Sequence, residues 1–185
     1  MKKILFFLLF ACALVSVAAQ NKVTVNQKVK DAYGSEILVG KCTRTSLLMT
    51  PYAGWFQKNY GDYIVDTATC VFIRPLLQHK KFTIFMGTWC GDSQREIPRL
   101  LKMLDCCGVP EERVELVMVS NASDSYKQSP QHEEAGKNIL RVPTILVEEH
   151  NKEIGRIVEY PVVSLEKDML RILRLEGYVP NYSKQ

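Results

Sequence analysis

The sequence predicts an α/β fold, a central mixed sheet flanked by helices, with an N-terminal helical extension. Three observations predict it. Short apolar runs at 82–86, 114–119 and 142–147 have the length and residue types of buried strands. Between and after them lie stretches with apolar residues at helical spacing, giving the order β-α-β-α-β-β-α. Roughly 165 residues follow the leader described next, enough for one sizeable core and too few for two ordinary domains.

The leader comes first. Met1-Lys2-Lys3 is positive, residues 4–17 are almost continuously apolar, and Val17-Ala18-Ala19-Gln20 offers small residues for cleavage. That is the layout of a secretory signal peptide over 1–20 and predicts export, to the periplasm. The run is short of the roughly 20 apolar residues of a membrane span, so no transmembrane span is expected in the mature chain. Acylation of Cys12 after Leu9-Phe10-Ala11 is the rival reading. The apolar run continues past Cys12 through Val17, which favours the later cut.

Residues 21–30 are polar and predict a loose leader. Thr50-Pro51 predicts an N-cap followed by proline at the first helical position, with Tyr52, Trp55 and Phe56 on one face and Gly61 as the stop. A second helix is expected from Asp66, carrying Cys70, Val71 and Leu77, with Pro75 as a kink or break. After the 82–86 strand, Gly87-Thr88-Trp89-Cys90 turns into a helix over 91–106. Its apolar positions Ile97, Leu100, Leu101 and Leu104 recur at helical spacing, and Gly108-Val109-Pro110 ends it. The 114–119 strand leads to a polar loop over 120–131 and a short helix over 133–140. Next come the 142–147 strand, a turn at His150-Asn151-Lys152 and a hairpin partner over 153–160. Ser164 is placed to cap a last helix with Leu165, Met169, Ile172 and Leu173 inward. The organisation expected is signal segment 1–20, leader and helical extension 21–65, and the α/β domain 66–185.

Charge excludes one class of partner. The chain has 24 Lys+Arg against 20 Asp+Glu, and without Lys2 and Lys3 the excess is +2. No basic run accompanies it, so no nucleic-acid footprint is expected. Of the 6 cysteines, Cys12 leaves with the signal segment, and Cys42, Cys70, Cys90, Cys106 and Cys107 remain. An odd count in an oxidising compartment leaves at least one thiol without an intramolecular partner.

Three segments in order resemble the thioredoxin superfamily over roughly 81–176. Trp89-Cys90-Gly91-Asp92-Ser93 stands at a strand-to-helix junction, as that family's Trp-Cys-Gly-Pro-Cys site does. Val142-Pro143-Thr144 is similar to the family's cis-proline segment, and Glu153-Ile154-Gly155-Arg156-Ile157-Val158 to its closing hairpin strand. The stretches 87–93 and 156–161 also resemble exported thioredoxin-like proteins of Bacteroidetes type. The resemblance implies a thioredoxin-like fold for 66–185, a cis Pro143 facing the Cys90 thiol, and thiol–disulfide chemistry without a cofactor. Three departures qualify it. Ser93 stands where the family has its second cysteine, and Ile84 stands where it has a buried carboxylate. Cys90 and Pro143 are 53 positions apart, which implies an insertion at 120–132.

These residues set the chemistry expected. A helix N-terminus presents unpaired N–H groups and favours a thiolate at Cys90. Asp92 opposes a second negative charge there or serves the helix start, and Ser93, three residues on, is placed to donate a hydrogen bond to the thiolate. Trp89, Gly91, Asp92, Val142, Pro143 and Thr144 are the expected substrate-binding surface. Ser93 cannot resolve a mixed disulfide. An external thiol, a second thiol on the substrate, or another cysteine of the chain must do so. Cys106 is 16 positions along the same helix from Cys90, about 24 Å, beyond disulfide reach. Cys106 and Cys107 are expected to be buried small hydrophobes. Cys70, at the start of the helix leading into the 82–86 strand, is the possible resolving cysteine, against a structural Cys42–Cys70 bridge or plain burial.

His79, His132 and His150 are scattered without ligand spacing, so no metal site is expected. The leading expectation is a single-cysteine thiol–disulfide exchanger acting on exported protein or small-molecule disulfides with an external redox partner. The alternative is a redox-inactive binding module holding a partner through the Trp89/Pro143 surface. A peroxide-reducing enzyme of the same fold is disfavoured by Gly87, where that chemistry would place a threonine.

Overall fold

The computed structural model describes residues 24–183; the expected signal segment 1–20, with Cys12, lies outside the described residues. In chain order the strands are β1 (Gln27–Lys30), β2 (Glu36–Cys42), β3 (Lys80–Met86), β4 (Val114–Met118), β5 (Thr144–Glu149) and β6 (Lys152–Val158). The α-helices are α1 (Ala53–Asp62), α2 (Thr67–Ile73), α3 (Gly91–Cys107) and α4 (Leu165–Leu173). The six strands form one mixed sheet in the order β1-β2-β4-β3-β5-β6, with β3 and β4 parallel and the other pairs antiparallel. The chain is thus an α/β protein.

Strand alternation divides the core in two. Phe82, Ile84 and Met86 of β3 face a large cluster with Phe56 of α1, Cys70 and Ile73 of α2, Ile97 and Leu100 of α3, and Met169 of α4. Phe85 points the other way, with Val117 and Leu146, and is covered by Ile139 and Val142. The helices therefore lie on one face. The segment between β4 and β5 covers part of the other.

That segment departs from expectation, because no helix forms over 133–140. His132, Gly136 and Asn138 have positive φ values of 56°, 74° and 54°, which a right-handed helix does not admit. The Ser129 hydroxyl accepts from Glu133 N at 2.9 Å and is bonded to both the Glu133 and Glu134 carboxylates. Local side-chain bonding of this kind competes with helix.

The N-terminal region departs too. Residues 27–65, expected as a leader and extension outside the 66–185 domain, supply two strands to the same sheet and a helix packed on α3. The Asp31 carboxylate closes the β1–β2 hairpin by accepting from Tyr33 N and Ser35 N, both at 2.9 Å. Thr50 is not the cap of α1. The Thr50–Pro51 bond is cis, and the helix begins two residues later with Tyr52 at the N-cap. Asp66 does cap α2, its carboxylate accepting from Thr69 N at 3.0 Å, and Pro75 falls in a 3-10 turn after that helix. Val71 turns outward, with 59% exposure.

The helix that starts at Cys90 runs unbroken to Cys107 even though Pro98 lies inside it. Proline has no N–H for the carbonyl four residues back. Here that carbonyl is Gln94 O, and the Asn59 side-chain amide of α1 donates to it at 3.1 Å while also donating to Trp55 O at 2.9 Å. Asn59→Ala therefore orphans a partly buried carbonyl and should cost about 1–2 kcal/mol in denaturant unfolding. A cost indistinguishable from zero would mean that water replaces the amide. Beyond α3, Gly108 adopts φ 83° and its N–H donates to Asp105 O at 3.0 Å, as the sequence predicts for a glycine stop. Ser164 caps α4 by accepting from Lys167 N at 3.2 Å.

Candidate functional site

The site lies where β3 ends and α3 begins. Cys90 is the N-cap of α3, in an extended conformation, and its carbonyl accepts the first helical bond from Gln94 N at 2.9 Å. Its own N–H donates to Gly87 O at 3.0 Å, which folds the Gly87-Thr88-Trp89-Cys90 turn. The sulfur is partly exposed, and the thiol donates to Val142 O at 3.3 Å. Val142 leads into Pro143 through a cis bond, and both residues are buried beside Thr144. Thus Cys90 and the Val142-Pro143-Thr144 segment, 52 positions apart at their point of contact, are brought together.

That segment is held from behind. The Thr144 hydroxyl donates to Arg141 O at 2.7 Å, Glu159 N donates to Pro143 O at 2.7 Å, and Arg141 pairs with Glu159 at 3.1 Å. β5 thus starts from a loop whose backbone groups are bonded on both sides of Pro143. This fixes the Val142 carbonyl against the sulfur.

Trp89 is anchored rather than loose. Its indole N–H donates to Val119 O at 2.8 Å, and its ring lies 5.8 Å from that of Tyr126, which is 53% exposed. The turn needs Gly87 for this. A Cβ there would stand 2.5 Å from the Trp89 ring, closer than real contacts allow. Gly91, by contrast, is exposed with open space around its Cα, so packing does not require glycine there. Thr88 is buried and joins β2 to the site, its hydroxyl accepting from Leu38 N at 3.2 Å.

Ser93 takes a different place from the one expected. It is fully buried, and its hydroxyl accepts from Gly87 N at 3.3 Å, bracing the turn from below. The bond made by the Cys90 thiol is with Val142 O. Asp92 pairs with Arg95 at 2.7 Å one helical turn on, which offsets its charge beside Cys90. Ile84 is wholly buried in the core.

The possible resolving cysteine is corrected by the structure. The Cys70 sulfur lies 2.8 Å from that of Cys107, the last residue of α3, and the neighbour is not Cys42. Cys107 is 17 positions from Cys90 along one helix, or about 25 Å, so Cys70 stands at the far end of α3 from the site. A bond from there to Cys90 would need α2 to leave its place, since bridged Cα atoms lie within about 7 Å. Among the five cysteines of the described residues, Cys90 and Cys106 are partly exposed and Cys42, Cys70 and Cys107 are buried. Burial pushes the Cys42 thiol up to about 11 and raises Cys70 and Cys107 as well. Those three are poor nucleophiles at neutral pH.

The histidines also differ from the reading of the sequence. His79 and His150 are not separate, because the β3–β5 register sets their rings 5.5 Å apart. Among the described residues, no group of three or more His, Cys, Asp or Glu side chains could hold a metal ion. No helix among them is long and apolar enough to cross a membrane.

Comparison with known proteins adds little. No protein-family profile matches the sequence, and no curated protein matches it. The chain has some similarity to a protein of unknown function from Pseudomonas aeruginosa, at 17% identity and a TM-score of 0.36, covering 71% of this chain and all of the other. An HIV epitope-scaffold is similar at 17% identity and a TM-score of 0.35, covering 66% of this chain and 97% of the other. At those scores neither carries weight for fold or function.

Proposed function

We propose that this chain is a thioredoxin-like thiol–disulfide exchange protein that works through one cysteine, Cys90, on the disulfides of exported proteins or small molecules. The observation that carries the reading is the partly exposed Cys90 sulfur at the start of a 17-residue helix, 3.3 Å from the carbonyl that precedes Pro143. The order β3-α3-β4 followed by the β5–β6 hairpin and α4 supports the thioredoxin-like assignment.

The chemistry balances without a cofactor. The Cys90 thiolate attacks one sulfur of a disulfide R–S–S–R′, forming Cys90–S–S–R and releasing R′–S⁻. A second thiolate then attacks the Cys90 sulfur or the R sulfur and frees the other. When that thiolate belongs to the substrate, electrons are conserved and the pairing is isomerised. When two external thiols supply it, the substrate gains two electrons and two protons and the external pair is oxidised. Cys90 stands at the start of α3, where backbone N–H groups have no partner within the helix and can offer hydrogen bonds to the attacking or leaving sulfur. Trp89, next to Cys90 in the chain, and Tyr126, whose ring lies 5.8 Å from that of Trp89, offer an apolar surface to the substrate.

The test is catalysed re-pairing of a scrambled disulfide protein in a glutathione buffer. Re-pairing faster than in buffer alone is expected. No acceleration would overturn the exchange reading and favour the binding module, which the buried Ser93 and Ile84 also suit.

A further inference from the structure

We propose that Cys70 and Cys107 are joined in a disulfide when the chain folds under oxidising conditions, a cross-link between α2 and the end of α3 that the exchange chemistry of Cys90 does not use. Their sulfurs already lie 2.8 Å apart, and the side chains are 0% and 3% exposed. A bond closes that gap to about 2.05 Å. The two backbones are also pinned to each other independently of the sulfurs. Arg74, at the end of α2, donates to Cys106 O at 2.9 Å, and Ile73 of α2 and Leu104 of α3 share the large core cluster with Cys70 and Cys107.

The step needs an oxidant, which is an external disulfide R–S–S–R of a small molecule or protein. Cys70–SH and Cys107–SH give up two electrons and two protons, their sulfurs bond, and the oxidant leaves as two R–SH. Exchange proceeds through thiolates, and in the folded chain burial disfavours both of these. The bond is therefore made before α2 docks, and afterwards it is shielded from reductant. The residues it joins are 37 positions apart, and the loop between them holds β3, the Trp89-Cys90 turn and α3. Oxidation thus locks the support of Cys90 without consuming its thiol. Cys106 is adjacent and partly exposed, so it is the competitor to watch.

The chain refolded with glutathione disulfide is denatured, alkylated with N-ethylmaleimide and mapped by peptide mass, with fragmentation between Cys106 and Cys107. The expected result is a Cys70–Cys107 link, retained in Cys106→Ser, with alkylation at Cys42 and either glutathione or an alkyl group at Cys90 and Cys106. Alkyl groups on both Cys70 and Cys107, or a link through Cys106 or Cys42, would overturn the proposal. Thermal unfolding gives a second reading. Tm of the chain refolded with glutathione disulfide should lie about 10 °C above that of the chain unfolded and refolded in reductant, and in Cys70→Ala the two should coincide. If that variant does not fold, the unchanged sequence decides. Equal Tm values for the unchanged sequence refolded with glutathione disulfide and refolded in reductant sink the cross-link.

Discussion

Cys90→Ala is expected to bring the re-pairing of a scrambled disulfide protein down to the uncatalysed rate, a loss of about two to three orders of magnitude if the nucleophile carries the reaction. Its stability should hardly change. The sulfur is partly exposed, and the variant loses one long S–H···O contact to Val142 O. Unfolding free energies within about 0.5 kcal/mol of the parent, measured alongside the rate, separate lost chemistry from lost fold. A variant that keeps most of the activity would move the chemistry elsewhere, with Cys106 the other partly exposed thiol to consider.

The second large effect concerns the support beneath the site. Phe85 is fully buried in the smaller core cluster, with Val117, Leu146, Ile139 and Val142, and Trp89 and Cys90 pack against that cluster. Phe85→Ala should cost about 3–5 kcal/mol from lost burial and the cavity left behind. It should also slow exchange by about tenfold per folded molecule, because Val142 and Trp89 lose the surface that positions them. Phe82→Ala is the matched control. That residue is equally buried, three positions earlier on the other face of β3, within the large cluster. It should show the same stability loss and an unchanged rate per folded molecule. Equal rate losses in the two variants would contradict a specific role for the smaller cluster.

Much of this organisation was legible in the sequence where one local signal dominates. The 82–86, 114–119 and 142–147 runs each fall within one or two residues of β3, β4 and β5, because buried strands are nearly all apolar. Gly108 and Ser164 act at the helix ends where their backbone and side-chain chemistry put them. Juxtaposition of Cys90 with the Val142-Pro143 segment was legible too, through the resemblance and not through spacing.

Elsewhere the deciding interactions are distant in sequence. The strand Gln27–Lys30 has two lysines in four residues and looks like a polar leader, yet an edge strand carries such charges readily. Glu36–Cys42 contains the apolar Ile37-Leu38-Val39, a short run of strand-forming residues that marks β2 in the sequence. The 91–106 helix holds Pro98, whose tolerance depends on Asn59 from α1, 39 positions away in the sequence. The direction of α2 alone gives no position for Cys70 along α3, and the docking of α2 sets it against Cys107 at the end opposite Cys90. Tyr126 and the Val119 carbonyl, which hold Trp89, sit in or beside a polar loop that gives no sign of a site.

The central claim is that Cys90 acts without a partner thiol of its own chain, and the lifetime of a mixed disulfide at Cys90 tests it most directly. The chain is loaded with a peptide disulfide, freed of excess reagent, and followed by intact mass and peptide mapping. The account predicts one adduct at Cys90 that persists until an external thiol is added, and that decays unaided when Ser93→Cys supplies a second thiol. Spontaneous release of the peptide from the unaltered chain, with Cys90 recovered in an internal disulfide, would contradict it.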